Sequence, residues 1–383
     1  MKQIYKILIV FTAIVALAVL GVLLWRALQP RPPATPSGEL PSAPVGEGEV
    51  GEGEGPPFTL RKLSDDGVAV FDSFTDPDGN PLYLEMSGVV REARVGPDPE
   101  VSAETFSALN FVKLSPDRRH ALLAYGDPKN PNWILFDTKD LVWRPFNVPV
   151  IAATWKDADT LIAILPETGG GRILAEVPVR DNFTNPATAG PRYTLVLRNF
   201  PLLDVSLSWS DTLDVLIIQE KTASFYKPRT WQFNLTARTL QLLAEGEKGE
   251  VSRWLTQDYV FHYMPPKKFQ ILDHELASVV FTPAPTIPEK CDGVEARIFC
   301  FAPIVFPPFS FTNTFAEDYA KGSVYTLDKF LVLDAVSGET IQLFTSGMEE
   351  IPQIDARSVR AAGNTVYFVN RYDNGLYELR LNQ

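Results

Sequence analysis

Residues 205–220 read VSLSWSDTLDVLIIQE and contain a unit that recurs along the chain. An apolar strand ends at a tryptophan, a short polar turn follows, and a second, more continuously apolar strand leads away. The same order is present in IAATWKDADTLIAIL (151–165) and in NFVKLSPDRRHALLAYG (110–126), where the first strand ends at leucine. Each stretch continues into a third strand and usually a fourth. The chain therefore repeats a four-stranded unit with a period of roughly 45 to 50 residues.

A four-stranded unit of this length is typical of a β-propeller blade. The second strands are nearly continuous apolar runs, as expected where neighbouring blades cover both faces, whereas outer strands such as WQFNLTA (231–237) alternate. Counting units gives about seven blades, with six and eight as alternatives. FTLRKLS (58–64) would pair with GLYELRL (375–381) and close the ring with strands from both ends. The sequence predicts an all-β propeller of four-stranded blades over residues 58–383.

The first 28 residues contain a candidate membrane anchor. Residues 7–25 form an apolar run of 19 residues, and a helix of that length spans roughly 28 Å, close to the hydrocarbon thickness of a bilayer. Lys2 and Lys6 precede the run and are nearly balanced by Arg26 and Arg31 after it, so the positive-inside rule gives only a small preference for a cytoplasmic N-terminus. A cleaved signal peptide is the alternative, but the run ends in LLW (23–25) rather than at small residues. We therefore expect a single-pass protein of the cell membrane with an extracytoplasmic domain.

Residues 29–57 are rich in proline, glycine and glutamate. Such a segment can bury almost nothing and resists both helix and sheet. It is predicted to be a disordered linker with a root-mean-square reach of roughly 30 Å. Its expected role is to hold the domain off the membrane.

The composition excludes several classes of function. The chain has 47 Asp and Glu against 35 Lys and Arg, a net charge of −12, so nucleic-acid binding is not expected. His120, His262 and His274 are widely separated, which argues against a metal site. DPDGN (76–80) lacks the later glutamate of a calcium loop and is predicted to be a turn. No catalytic or cofactor motif was found, including the G-x-S-x-G of hydrolases, so we predict no catalytic, cofactor or metal residues.

Cys291 and Cys300 are the only cysteines of the chain. They flank a short hairpin-like stretch, and outside the cytoplasm such a pair suggests a disulfide. Two buried free thiols are the alternative.

The segment 302–322 is long, irregular and rich in aromatic residues and proline. It interrupts a blade between its second and third strands, and long insertions of this kind are often functional. We consider it a candidate binding loop, whose residues are Phe306, Phe309, Phe311, Phe315 and Tyr319. The alternative is that these aromatics pack over the propeller as a lid.

The last third of the chain resembles a family of single-anchor propellers from candidate-phylum bacteria, to which no activity is attached. The resemblance rests on TIPEKC (286–291), FCFAP (299–303), EDYAKG (317–322) and YFVNRYDNGLYELRL (367–381). The blade turns resemble, more distantly, TolB-type and WD-repeat-like propellers. The family's expected tryptophans are missing, because Asp292 and Gly293 follow Cys291 and Tyr319 stands alone. The resemblance implies fold and location, and no residue role is carried over.

Two functions of different classes remain open. The first is a non-catalytic module that binds a protein or an envelope polymer. The second is a hydrolase or lyase of envelope carbohydrate, with carboxylates in the propeller funnel. Candidate carboxylates in the blade turns include Asp117, Asp157, Asp159 and Asp211. Two carboxylates roughly 5 to 10 Å apart in one pocket would favour the enzyme.

Overall fold

The computed structural model describes residues 57–382, apart from 95, 147, 184–191, 211–212, 222, 265–267, 274–277, 282–285, 305–313 and 349–350. The predicted anchor and residues 29–56 of the predicted linker lie outside these described residues. Within the described ranges, no helix is both long and apolar enough to span a bilayer.

The described chain forms 28 strands, which pair in seven four-stranded antiparallel sheets, the blades. The first strand, β1 (Phe58–Lys62), is the outer strand of blade 7. Blade 1 contains β2 (Val70–Thr75), β3 (Pro81–Glu85), β4 (Val90–Glu92) and β5 (Glu100–Ser102). Blade 2 contains β6 (Leu109–Leu114), β7 (His120–Tyr125), β8 (Asn132–Asp137) and β9 (Val142–Pro145). Blade 3 contains β10 (Ala152–Trp155), β11 (Thr160–Pro166), β12 (Arg172–Pro178), the helix α1 (Val179–Phe183) and β13 (Thr194–Leu197).

The remaining blades follow the same order. Blade 4 contains β14 (Val205–Ser210), β15 (Val215–Glu220), β16 (Arg229–Asn234) and β17 (Thr239–Glu245). Blade 5 contains β18 (Val251–Trp254), β19 (Val260–Met264), β20 (Lys268–Leu272) and β21 (Ser278–Phe281). After a 3₁₀ turn (Pro288–Lys290), blade 6 contains β22 (Cys291–Val294), β23 (Arg297–Pro303), the helix α2 (Phe315–Ala320), β24 (Asp328–Asp334) and β25 (Thr340–Thr345). Blade 7 contains β26 (Ala356–Ala362), β27 (Thr365–Asn370) and β28 (Gly375–Leu381), completed by β1.

The predicted fold, blade count and burial pattern are confirmed. β11, a second strand, is buried at five consecutive positions, whereas β17, an outer strand, has no buried residue. The apolar runs of the sequence do not reveal two of the strands, which are β5, the short fourth strand of blade 1, and β22, with which blade 6 begins at Cys291.

The buried apolar residues of the described ranges form seven clusters, one at each interface between neighbouring blades. Each cluster is formed by apolar residues of adjacent sheets. The ring is closed twice, because one cluster joins blades 7 and 1 and because β1 pairs with β28 from Phe58–Leu381 to Lys62–Tyr377. The predicted closure by strands from both ends of the domain is confirmed.

The antiparallel order of the strands gives the ring two different faces. Turns between the first and second strands of each blade lie on one face, which we call the AB face. Turns between second and third strands, and connections between blades, lie on the opposite BC face. Because β1 is a fourth strand, it begins at the AB face.

Candidate functional site in the central channel

Polar residues of the innermost strands meet near the axis of the ring. Six of the seven innermost strands contribute one residue each, namely Asp72 in β2, Lys113 in β6, Thr154 in β10, Arg253 in β18, Asp292 in β22 and Arg360 in β26. We call these six residues the channel ring. Successive side chains of a strand point to opposite sides, so apolar neighbours such as Val112 pack between blades while the polar residues reach inward.

Contacts between blades join the channel ring into one group. Lys113 Nζ donates a 2.6 Å hydrogen bond to Thr154 Oγ1 in the next blade. The Arg360 guanidinium lies 3.2 Å from a carboxylate oxygen of Asp72 and donates to the carbonyl oxygen of Val112 at 3.3 Å. Arg360 of blade 7 thereby contacts both blade 1 and blade 2, and Lys113 of blade 2 contacts blade 3.

Blades 5 and 6 belong to the same group. Asp292 Oδ2 accepts a 2.8 Å hydrogen bond from the backbone N–H of Ala361, which places this carboxylate beside Arg360. Burial raises the pKa of Asp292, and the nearby guanidinium groups of Arg253 and Arg360 oppose that rise. The channel therefore holds cations and carboxylates close enough to influence one another.

Two cations of the channel ring have no carboxylate partner. Among the described residues, no carboxylate oxygen lies within 4.0 Å of a side-chain nitrogen of Lys113 or Arg253. Burial, together with the positive charges of Arg253 and Arg360, lowers the pKa of Lys113 to about 7. Both side chains are half-buried, with protein on most sides of them. Unneutralised charge in such a setting is costly, and an anion entering the channel would relieve that cost.

A cavity of about 150 Å³ lies beside the channel ring toward the AB face. Arg118, Asp292 and Arg360 line it together with Ser73. Ser73 Oγ has no hydrogen-bond partner among the described residues. Cavities of this size hold benzene-sized molecules in other proteins. The volume and its polar lining therefore suit one small charged group of a ligand.

A second buried charge cluster lies toward the BC face. Lys290 Nζ is 2.5 Å from Asp328 Oδ2, 2.8 Å from Asp355 Oδ1 and 2.8 Å from Thr326 Oγ1, and Arg371 lies 3.2 Å from Asp355. Two cations face two carboxylates, and the Lys290, Asp328 and Asp355 side chains are fully buried. Because its charges are balanced and it is closed to solvent, this cluster ties blades 6 and 7 together rather than forming an open site.

The candidate binding loop is only partly described. Phe315 and Tyr319 lie on α2, are 6% and 5% exposed, and pack in the core between blades 5 and 6. The Tyr319 hydroxyl donates to Asp355 Oδ1 at 3.0 Å. For these two residues the structure shows the packing alternative. Phe306, Phe309 and Phe311 lie outside the described residues.

The predicted disulfide is present. Cys291 in β22 and Cys300 in β23 face each other across the strand pair, with Cα atoms 4.3 Å apart and their sulfur atoms bonded. Both residues are buried in the core between blades 5 and 6. The bond links the first two strands of blade 6.

The carboxylates singled out from the sequence belong to the turns. Asp117 accepts hydrogen bonds from Ser115 Oγ and the backbone N–H of Arg119, and Asp157 accepts one from Asp159 N–H. Asp159 lies 3.0 Å from Arg180, and Asp211 is outside the described residues. The carboxylates that do meet in the channel, Asp72 and Asp292, were missed by sequence reasoning. For Asp72 the signal was a charged residue inside an apolar first strand, VFDSF (70–74), and the same signal marks Lys113 in NFVKL (110–114) and Arg253 in VSRW (251–254).

The described histidines and the 76–80 turn make contacts within or between neighbouring strands. His120 stacks on Trp155 with ring centroids 6.1 Å apart, and His274 lies outside the described residues. The predicted turn at 76–80 connects β2 and β3, with Asp76 accepting the backbone N–H of Asn80. In the described part of the chain, no group of three or more His, Cys, Asp or Glu is placed to hold a metal ion.

Several solved structures are similar in fold to this chain. An oligogalacturonate lyase from Vibrio parahaemolyticus matches with a TM-score of 0.55 and 11% identity, over 85% of this chain and 94% of that chain. A chain of the mitotic checkpoint complex matches at 0.51 and 10%, over 93% and 100%. The β-propeller domain of the trilobed protease from Pyrococcus furiosus, described as having an open velcro topology, matches at 0.50 and 9%, over 81% and 95%.

No protein-family model and no curated protein sequence matches the chain. Structural likeness at about this level of identity shows fold and no activity. Unlike an open topology, the ring of this chain is closed by the pairing of β1 with β28. The chain is a seven-bladed β-propeller with four-stranded blades.

Proposed function

We propose that this protein is a membrane-anchored, extracytoplasmic propeller that binds a protein or an envelope polymer through its central channel. The observation that carries the proposal is the channel ring, in which Lys113 and Arg253 have no carboxylate partner among the described residues. A channel serving only the fold would be expected to pair its charges or to be apolar, because unpaired buried charge is destabilising. Unsatisfied charge in an accessible channel is instead typical of a ligand site.

The proposed location rests on two independent features. The apolar run at 7–25 has the length of a membrane span. The disulfide between Cys291 and Cys300 is typical of an oxidising compartment. Both features favour a domain held outside the cytoplasm by an N-terminal anchor.

The experiment that tests binding is photo-crosslinking in native membranes. A photoreactive phenylalanine analogue replaces Ala362, which lines the cavity, or Val336, which is 78% exposed on a turn of the same AB face. We expect a covalent adduct from position 362 and none from position 336. Adducts of equal yield would place the partner on the outer rim, and no adduct at either position would contradict a binding function at this face.

A second function, a hydrolase or lyase of envelope carbohydrate, is favoured by one observation. Asp72 and Asp292 share the channel with Lys113, whose pKa is lowered to about 7, and an amine or carboxylate tuned in this way can transfer protons. Incubation of the full-length protein with isolated envelope polysaccharide should then yield shortened products. Turnover that is lost in Asp292→Asn and kept in Asp117→Asn would favour the enzyme, whereas intact polysaccharide would favour binding alone.

A further inference from the structure

Positive groups outnumber carboxylates around the channel. The described cations at the channel and its cavity are Lys113, Arg118, Arg253 and Arg360, and the described carboxylates are Asp72, Glu289 and Asp292. With Lys113 protonated, the group carries one positive charge in excess, although the whole chain has a net charge of −12. A local excess of this sign inside an acidic protein attracts anions to the channel.

The groups that face Lys113 come from several blades. Thr154 in β10 accepts its hydrogen bond, and Arg253 in β18 and Arg360 in β26 are close enough to lower its pKa. The carboxylates of the group lie near the arginines instead, since Asp72 pairs with Arg360 and Asp292 lies beside it. Glu289, whose pKa burial raises, adds a third carboxylate near Arg253. An incoming negative charge therefore stabilises the charged form of Lys113 more than that of the arginines.

We propose that the channel binds an anionic group of the ligand, a carboxylate or a phosphate, between Lys113 and Arg253, and that binding is coupled to uptake of a proton by Lys113. The inference rests on the proposed function, because it takes the channel as the binding site. Arginine offers a planar pair of donors to such an anion and lysine offers a compact charge. The cavity is lined by Arg118 and Arg360 and provides room beside the channel ring for a neighbouring part of the ligand.

The direction of the pH dependence follows from the geometry of the charges. In the free protein burial and two arginines hold the pKa of Lys113 near 7, so the amine is largely neutral above that pH. A bound anion favours the ammonium form and raises this pKa. Affinity should therefore be level below about pH 7 and fall by up to about tenfold per pH unit above it, with one proton taken up per ligand.

The test is calorimetric titration of the full-length protein in a neutral detergent. The probes are a pentaglutamate peptide for the carboxylate source, tripolyphosphate for the phosphate source, and a pentaglutamine peptide as the uncharged control. We expect pentaglutamate to bind and pentaglutamine to show no binding, and tripolyphosphate tests whether the site accepts a phosphate as well. If neither anion binds, the inference is wrong, while an adduct from position 362 would still support the proposed function.

Variants at Lys113 test separately whether its positive charge is needed for binding and whether its titration causes the pH dependence. Lys113→Met should weaken binding at least about tenfold at pH 6.5, because a hydrogen bond to a charged group is lost. Lys129→Met, at an exposed lysine of blade 2, is the matched control and should bind as the wild type does. A melting curve for each variant verifies that the fold is kept.

Lys113→Arg keeps the charge at every pH used, because arginine does not lose its proton in proteins. It should bind pentaglutamate equally well on both sides of pH 7, and proton uptake, measured in buffers of different ionisation enthalpy, should disappear. Pentaglutamate is used here because its carboxylates stay ionised over this range. Wild-type affinity that does not change between pH 6.5 and pH 8.5 would overturn the proton coupling, and equal affinity in Lys113→Met would overturn the site.

Discussion

Replacing Lys290 with methionine should destabilise the propeller strongly. The lysine ammonium lies between Asp328 and Asp355, at 2.5 Å and 2.8 Å, and all three side chains are fully buried. Methionine has a similar length but no charge, so the cluster would keep two carboxylates and only the Arg371 cation. Removing one partner of a buried ion pair costs about 3 to 5 kcal/mol, because an uncompensated charge remains in the interior.

The loss should depend on pH with a defined sign. Burial raises the pKa of Asp328 above its ordinary value, and Lys290 opposes that rise. Without the lysine the folded state binds a proton that the unfolded state releases, so stability falls as pH rises from the unfolded value toward the folded one. The destabilisation by Lys290→Met should therefore be larger at about pH 7 than at about pH 5.

The assay is urea denaturation of wild type, Lys290→Met, Lys290→Met with Asp328→Asn, and the exposed control Lys129→Met. Removing one carboxylate together with the lysine restores a balanced pair of Asp355 and Arg371, so the double variant should recover about half of the lost free energy or more. A loss under about 1 kcal/mol in the single variant would refute the assignment of this cluster as a buried tie between blades.

Three further predictions concern the closure, the disulfide and the anchor. Deleting residues 58–64 removes the outer strand of blade 7 and should lower the melting temperature of the whole domain, whereas deleting 30–55 should not, and equal melting temperatures would contradict closure by β1. Peptide mapping without reductant should show Cys291 joined to Cys300, with little reduction of the native protein because both residues are buried, and two freely alkylated thiols would contradict the structure. The full-length protein should remain in the membrane fraction, and a mature form beginning near residue 30 in the soluble fraction would show that the apolar run is a cleaved signal.

The fold was predictable because its signals are local and repeated. Each blade has an apolar second strand between polar turns, and this arrangement can be seen in single stretches such as 151–165. The pairing of β1 with β28 was also predictable, since an unpaired strand at each end of the domain leaves exposed edges. The short strand β5 was missed because EVS (100–102) has no apolar run.

The channel ring was harder to predict from the sequence. Lys113 and Arg253 each stand alone within an apolar strand, and Asp292 follows a cysteine. Their neighbours lie in other blades, 40 or more positions away in the sequence, as in the Lys113–Thr154 hydrogen bond. The site therefore has no sequence motif of fixed spacing. The aromatic segment was predicted as a candidate binding loop because its aromatic residues are close together in the sequence, yet Phe315 and Tyr319 are core residues.

The ionisation of Lys113 tests the central claim most directly. The measurement is NMR of the full-length protein with ¹³C-labelled lysine, titrated from acid to alkaline pH with and without pentaglutamate, and with Lys113→Arg used to assign the resonance. We predict one lysine that titrates near pH 7 in the free protein, with its pKa rising by about one unit or more when the peptide is bound. If every lysine titrates near its ordinary value of about 10.4 in both samples, the account of the channel as an anion-binding site is wrong.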